Sequence, residues 1–130
     1  MRPKSPTYTE SELQFMKVLW EKGEATPDEI IEALADAGRD LTYGTVRNLL
    51  VLMIEKGYVA RRKQGKVYLY RAVVGREEAR KTMLLDMLSR VFDGSESSMV
   101  ATLLSAGTVS EDKLDEIHRL LDEKKMGGTE

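Results

Sequence analysis

Three times before residue 58 the chain repeats the same punctuation, a threonine able to cap a helix and a glycine able to end it. After the third glycine, the period of its apolar residues changes. Thr9 stands three residues ahead of Glu12, so hydroxyl and carboxylate can each satisfy the other residue's amide at a helix start. Leu13, Met16, Leu19 and Trp20 follow at spacings of three and four, and Gly23 stops the helix. Thr26 repeats the box with Glu29. Here Pro27 takes the first helical position, and Asp28 and Glu29 lie in the first turn, where aligned amides favour negative charge. Ile30, Ile31, Leu34 and Ala37 supply an apolar face, and Gly38 ends it. Thr42 opens a third helix reaching about Lys56, with Val46, Leu49, Leu50 and Met53 facing inward and Gly57 as the stop. From Tyr58 the period becomes two. Tyr58 to Lys63 and Val67 to Val73 alternate in polarity around Gln64-Gly65, whose glycine can take the positive φ of a tight hairpin. Helix, helix, helix, hairpin, with only Gly38 to Leu41 between the second and third helices, is a helix-turn-helix with a wing.

From Arg76 onward only helical signals remain, so the seam is expected near Gly75. Residues 1–75 then form a winged-helix unit and 76–130 a helical one, giving a mainly α fold with one small β-hairpin. Arg76 to Phe92 carries Met83, Leu84, Met87, Leu88, Val91 and Phe92 on one broad face. Ser95 opens a helix with Met99, Val100, Leu103 and Leu104, and Ser110 opens another with Leu114, Ile117 and Leu121. Three short helices with faces this wide have little chain to cover them. A second copy related by twofold symmetry would do so, which makes Met83, Met87, Leu88, Val91, Phe92, Met99, Val100, Leu103, Leu104, Leu114, Ile117 and Leu121 the expected homodimer interface. The MGGTE end is expected to fray.

Charge narrows the function. The 130 residues carry 20 basic and 22 acidic side chains, and a sequence pI near 5.6 argues at first sight against a polyanion as partner. The distribution reverses that argument: between residues 39 and 71, 8 basic side chains stand against 2 acidic ones, while the flanking stretches are acidic. A local cationic segment, not the net charge, decides docking on nucleic acid. With no cysteine, disulfides, thiolate metal sites and thiol nucleophiles are excluded. The apolar content of 42% excludes an intrinsically disordered chain, and the lack of a long uncharged apolar run excludes membrane insertion. The opening MRPKSPTY has no secretory core, so a cytoplasmic protein is expected.

The third helix and the hairpin hold the candidate binding residues. Arginine can grip a guanine edge with two hydrogen bonds and asparagine an adenine edge. Arg47 and Asn48 sit in the first turns of the second helix of the pair, where base contacts are made, with Tyr43 and Thr45 beside them. Exposed arginine and asparagine are common on any helix; position is what selects these. Arg61, Arg62, Lys63 and Lys66 crowd the hairpin tip, more cations than a guarded strand edge needs, and are expected on phosphates. Tyr68 and Tyr70 are expected to pack the hairpin onto the helices.

Catalysis finds no support. The single His118 lacks the companions a zinc site requires, and the pairs Glu111-Asp112, Asp115-Glu116 and Asp122-Glu123 suit a helix start and a solvated face. There is no nucleophile triad, Gly-rich phosphate loop or HExxH motif, so no enzyme, cofactor or metal is expected. The rival to DNA binding is a winged-helix module whose basic hairpin docks an acidic protein.

The runs E-S-E-L-Q-F-M-K-V-L-W (Glu10 to Trp20), T-V-R-N-L-L (Thr45 to Leu50), E-K-G-Y-V (Glu55 to Val59), G-K-V-Y-L-Y (Gly65 to Tyr70) and F-D-G-S (Phe92 to Ser95) together resemble the penicillinase-repressor family, also called the BlaI/MecI/CopY family. The likeness covers nearly the whole chain. It implies a dimeric bacterial repressor, with an N-terminal winged helix on double-stranded operator DNA of two inverted half-sites and a C-terminal helical dimerisation domain. Members that control β-lactam resistance are inactivated when a membrane sensor metalloprotease system triggers cleavage of the tail, in the region that here reads S-S-M-V-A-T-L-L (Ser97 to Leu104). Copper-responsive members carry a cysteine-rich C-terminus, which this chain lacks. The family usually has threonine where Asn48 stands and arginine where Leu52 stands, so its operator sequence does not transfer. The Asn-Phe pair of the β-lactam regulators is absent from the cleavage region.

Overall fold

The computed structural model describes residues 8–127; the expectations for the opening segment and the last residues of the chain fall largely outside that range. The elements run α1 (Glu10–Lys22), α2 (Pro27–Asp36), α3 (Tyr43–Glu55), β1 (Val59–Gln64), β2 (Val67–Ala72), α4 (Arg76–Phe92), α5 (Glu96–Ser105) and α6 (Glu111–Met126). Both capping boxes form. Thr9 and Thr26 accept the amides of Glu12 and Glu29 at 3.1 and 3.2 Å, and the two carboxylates accept the threonine amides at 2.9 and 2.8 Å. Thr42 caps α3 by accepting the Thr45 amide at 3.2 Å.

The core lies among α1, α2, α3 and the base of the hairpin. Phe15, Met16, Ile30, Val46, Leu50 and Met53 are fully enclosed, with Leu19, Leu34, Val59 and Tyr70 nearly so. Burying each such large side chain contributes about 1.5–3 kcal/mol. The stripe on α1 is rotated from the sequence expectation: Phe15 and Val18 join Met16 and Leu19 inside, whereas Leu13 and Trp20 lie at its margin. On α2, Ala37 forms the exposed C-cap and is not part of the apolar face. Glu12 is buried as well, its second oxygen taken by the Lys56 ammonium at 2.7 Å.

β1 and β2 pair antiparallel from Val59↔Ala72 to Gln64↔Val67. The tight turn is therefore Gly65-Lys66, one residue later than expected, with Gly65 at φ 65°. Positive φ at the first central position alone is one of the two two-residue turns whose twist matches the strands. The hairpin also gains a third partner that no pattern in the sequence marks. Ala25, between α1 and α2, exchanges backbone hydrogen bonds with Tyr70 at 3.0 and 2.8 Å.

Compact packing divides the chain between Asp86 and Met87, inside α4 and later than Gly75. The reason is local. The indole N–H of Trp20 donates to the Val74 carbonyl at 2.8 Å, the Arg76 guanidinium lies 6.0 Å from the Trp20 ring centre, and Ala79 is fully buried. The first turns of α4 thus complete the winged-helix unit. In the second unit, the F-D-G-S run ends α4 with Asp93 and Gly94 at φ 52° and 84°, and Ser95 caps α5. Neither α5 nor α6 has a buried residue, and Ala79 is the only one on α4. Among the described residues, no helix is long and apolar enough to cross a membrane.

Candidate nucleic-acid interface

The side chains of α3 divide by angle. At about 100° per residue, the buried line Val46, Leu50, Met53 puts Gly44, Asn48, Val51 and Glu55 on the outermost ridge. Tyr43 and Arg47 occupy one shoulder, Thr45 and Leu52 the other. The surface follows this division. A cleft of about 270 Å³ places Tyr43 and Arg47 with Lys66, Val67, Tyr68 and Tyr70 of the hairpin and Thr26, Pro27 and Asp28 of α2. A second cleft, of about 400 Å³, places Thr45, Asn48 and Leu52 with Thr9, Ser11, Arg39, Leu41 and Leu49. The four candidate residues of α3 are therefore spread around its exposed side, Asn48 on the ridge and Tyr43, Arg47 and Thr45 on the shoulders, and do not converge on one point. Arg47 and Asn48 are exposed and make no ion pair or side-chain hydrogen bond among the described residues; the Thr45 hydroxyl is engaged with Thr42 at 2.9 Å.

The pleat sorts the wing in the same way. Arg61 and Lys63 stand opposite Tyr70 and Tyr68, on the face that meets the α3 cleft, while Arg62, opposite Leu69, projects from the other. The Arg61 guanidinium lies 4.1 Å from the Tyr68 ring centre and 3.4 Å from the Tyr70 hydroxyl, which holds its pKa above the ordinary value. Tyr70 is buried packing as expected; Tyr68 stays partly exposed as a platform for Arg61. Arg62 donates two hydrogen bonds to the Glu24 carboxylate, at 2.7 and 2.8 Å. Those bonds depress the Glu24 pKa and raise that of Arg62. Lys63 and Lys66 are exposed and carry no ion pair among the described residues.

The basic run is thus not uniformly available. Acidic side chains from outside it engage Lys56 through Glu12 and Arg62 through Glu24, and the Glu12 carboxylate raises the Lys56 pKa. Arg39 donates to Gln14 and Ser11, pinning the link between α2 and α3 to α1. Glu24, Arg39 and the start of α2 border the site without having been singled out in the sequence. Arg39 alone had a signal there, as a cation inside the link. His118 is exposed on α6 with its Nε2 3.8 Å from Asp122, and among the described residues no group of three acidic or histidine side chains is placed to hold a metal ion.

The chain matches the penicillinase repressor family over residues 8–123. It is 25% identical to the methicillin resistance regulatory protein MecI of Staphylococcus aureus (strain Mu50), over 95% of this chain and 100% of that one. It is 26% identical to the penicillinase repressor of Bacillus licheniformis, over 94% of each chain. Among solved structures it is similar to the DNA-binding domain of the repressor BlaI, with a TM-score of 0.50 and 27% identity over 58% of this chain and 90% of that one. With the winged helix, the bare α3 ridge and the match across both units, the chain belongs to the penicillinase repressor family.

Proposed function

We propose that this DNA-binding transcriptional repressor acts as a homodimer on an inverted-repeat operator, each protomer setting α3 in a major groove with its wing on the neighbouring phosphates. The observation that carries the proposal is the exposed outer side of α3, where Arg47 and Asn48 have no side-chain partner among the described residues and Lys66 of the wing lines the same cleft as Arg47. Arg47 and Asn48 would read base edges, Tyr43 and Thr45 the adjoining edges and backbone, and Arg61, Lys63 and Lys66 the phosphates. Pairing would run through α4 to α6, where Met87, Val91, Val100, Leu103, Leu104, Leu114 and Leu121 are exposed in the single chain, and Met83, Leu88, Phe92, Met99 and Ile117 half-buried. Apolar exposure on that scale calls for a covering surface, and a second copy supplies a matching one. The protein would work beside the chromosome, in the cytoplasm. Release would follow a cut in Ser97 to Leu104, made by a membrane sensor metalloprotease system.

Selection of duplexes from a random library by the full-length protein, followed by footprinting, tests the proposal. Two inverted half-sites about one helical turn apart, protected together, are expected. Binding without sequence preference, or none, would overturn it.

A further inference from the structure

Arg62 and Lys66 lie close in sequence but differ in what surrounds them. Lys66 is the second residue of the turn and lines the cleft shared with Arg47. Arg62 lies on the opposite face of the hairpin, its Nε and Nη2 both donating to the Glu24 carboxylate. We propose that Arg62 is a positioning residue of the wing and not a phosphate contact: Glu24 clamps it to the body of the domain so that Lys63 and Lys66 meet the DNA. The proposal rests on the operator-binding reading above.

The clamp is one half of a two-point attachment. Glu24 and Ala25 are consecutive in the link between α1 and α2; Ala25 holds β2 through Tyr70, and Glu24 holds β1 through Arg62. A two-stranded hairpin is marginal by itself, and its aim depends on such tethers. For Arg62 to turn to a phosphate, it would surrender two charge-assisted hydrogen bonds and strip the Glu24 carboxylate of both. Its cation is already matched by an anion that travels with it, so its docking releases no net counterion from the DNA.

The salt dependence of binding separates positioning from contact. The probe is the duplex that the full-length protein selects from a random library, titrated between 50 and 200 mM KCl. Each phosphate contact contributes about 0.9 to the slope of log affinity against log salt, so losing one shrinks the affinity drop across this range about 3.5-fold. Lys66→Ala is expected to flatten the slope by that amount. Arg62→Ala is expected to weaken binding at every salt concentration with the slope unchanged. Glu24→Gln should steepen the slope by up to one contact when Arg62 is present and not in the Glu24→Gln/Arg62→Ala double variant. The charge swap Glu24→Arg/Arg62→Glu should recover affinity that Arg62→Glu alone loses. A slope in Arg62→Ala flattened as much as in Lys66→Ala would overturn the positioning role and leave operator binding intact. A failure to select any duplex would overturn the operator reading itself.

Discussion

The partners in the Glu12–Lys56 ion pair are unequally placed, and removing them one at a time makes the inequality measurable. The Glu12 side chain is 2% exposed and that of Lys56 45%. Lys56→Met strands a carboxylate with only the Thr9 amide to satisfy it. Stranding one member of a buried pair costs about 3–5 kcal/mol, and the opening left by a half-exposed lysine admits water, which reduces that to about 2–3 kcal/mol. Glu12→Gln leaves no buried charge: the amide oxygen still accepts from Thr9, and the Lys56 ammonium returns to solvent. The loss there is about 1 kcal/mol, the difference between a charged and a neutral acceptor. Glu12→Gln/Lys56→Met should be no less stable than Glu12→Gln alone, which puts the coupling at no less than about 2–3 kcal/mol. Urea denaturation at neutral pH reads this through Trp20, the one tryptophan, which lies in the same unit. The midpoint should fall by roughly 1–2 M for Lys56→Met and by less than about 1 M for Glu12→Gln. A Glu12→Gln protein less stable than Lys56→Met would show that the pair is worth more than the burial of its charge, and the reasoning would fail.

Arg47→Ala should cost on the order of 1–3 kcal/mol on the selected duplex and relax preference at one base pair; an equal loss on every sequence would reject base reading. Leu103→Asp, at a leucine 52% exposed on α5, should shift the protein to monomers in sedimentation velocity and lower operator affinity; an undiminished dimer would remove α5 from the interface. The Tyr8 hydroxyl is enclosed with no hydrogen-bond partner among the described residues, and burial pushes its pKa up to about 12. The fold therefore favours the protonated phenol, a contribution whole below pH 10 and lost as pH rises from 10 to 12. Tyr8→Phe should match or exceed the parent stability at neutral pH and lose less than the parent across that alkaline interval. A neutral-pH loss above about 1 kcal/mol would reveal a partner for the hydroxyl.

What could be read from the sequence was local. The Thr9, Thr26, Thr42, Ser95 and Ser110 caps each depend on a residue three positions away, and all five form. The face of α1 was harder. Apolar residues at 13, 15, 16, 18, 19 and 20 satisfy a helical period in more than one rotation, and only packing against the hairpin and α2 selects Phe15 and Val18 over Leu13 and Trp20. The turn could be centred on either side of Gly65, because glycine serves at both central positions of a tight turn. Glu24–Arg62 and Glu12–Lys56 join residues 38 and 44 positions apart, so no spacing rule reaches them. The same distance hides how the candidate site is divided: the sequence places eight exposed or cationic residues together, while the pleat and the helix angle send Arg62 away from the groove and set Arg47 and Asn48 in different clefts.

Among the described residues beyond Met87 a single chain encloses no side chain, so on the proposed pairing that segment would gain its core only by joining a twin. Occupancy of that pair would then follow the square of the free protomer's abundance in the dilute regime: halving the supply would remove about three quarters of the joined species. A repressor paired in this way would count its own copies, and cell growth that thins it between rounds of synthesis would loosen its hold with no signal required.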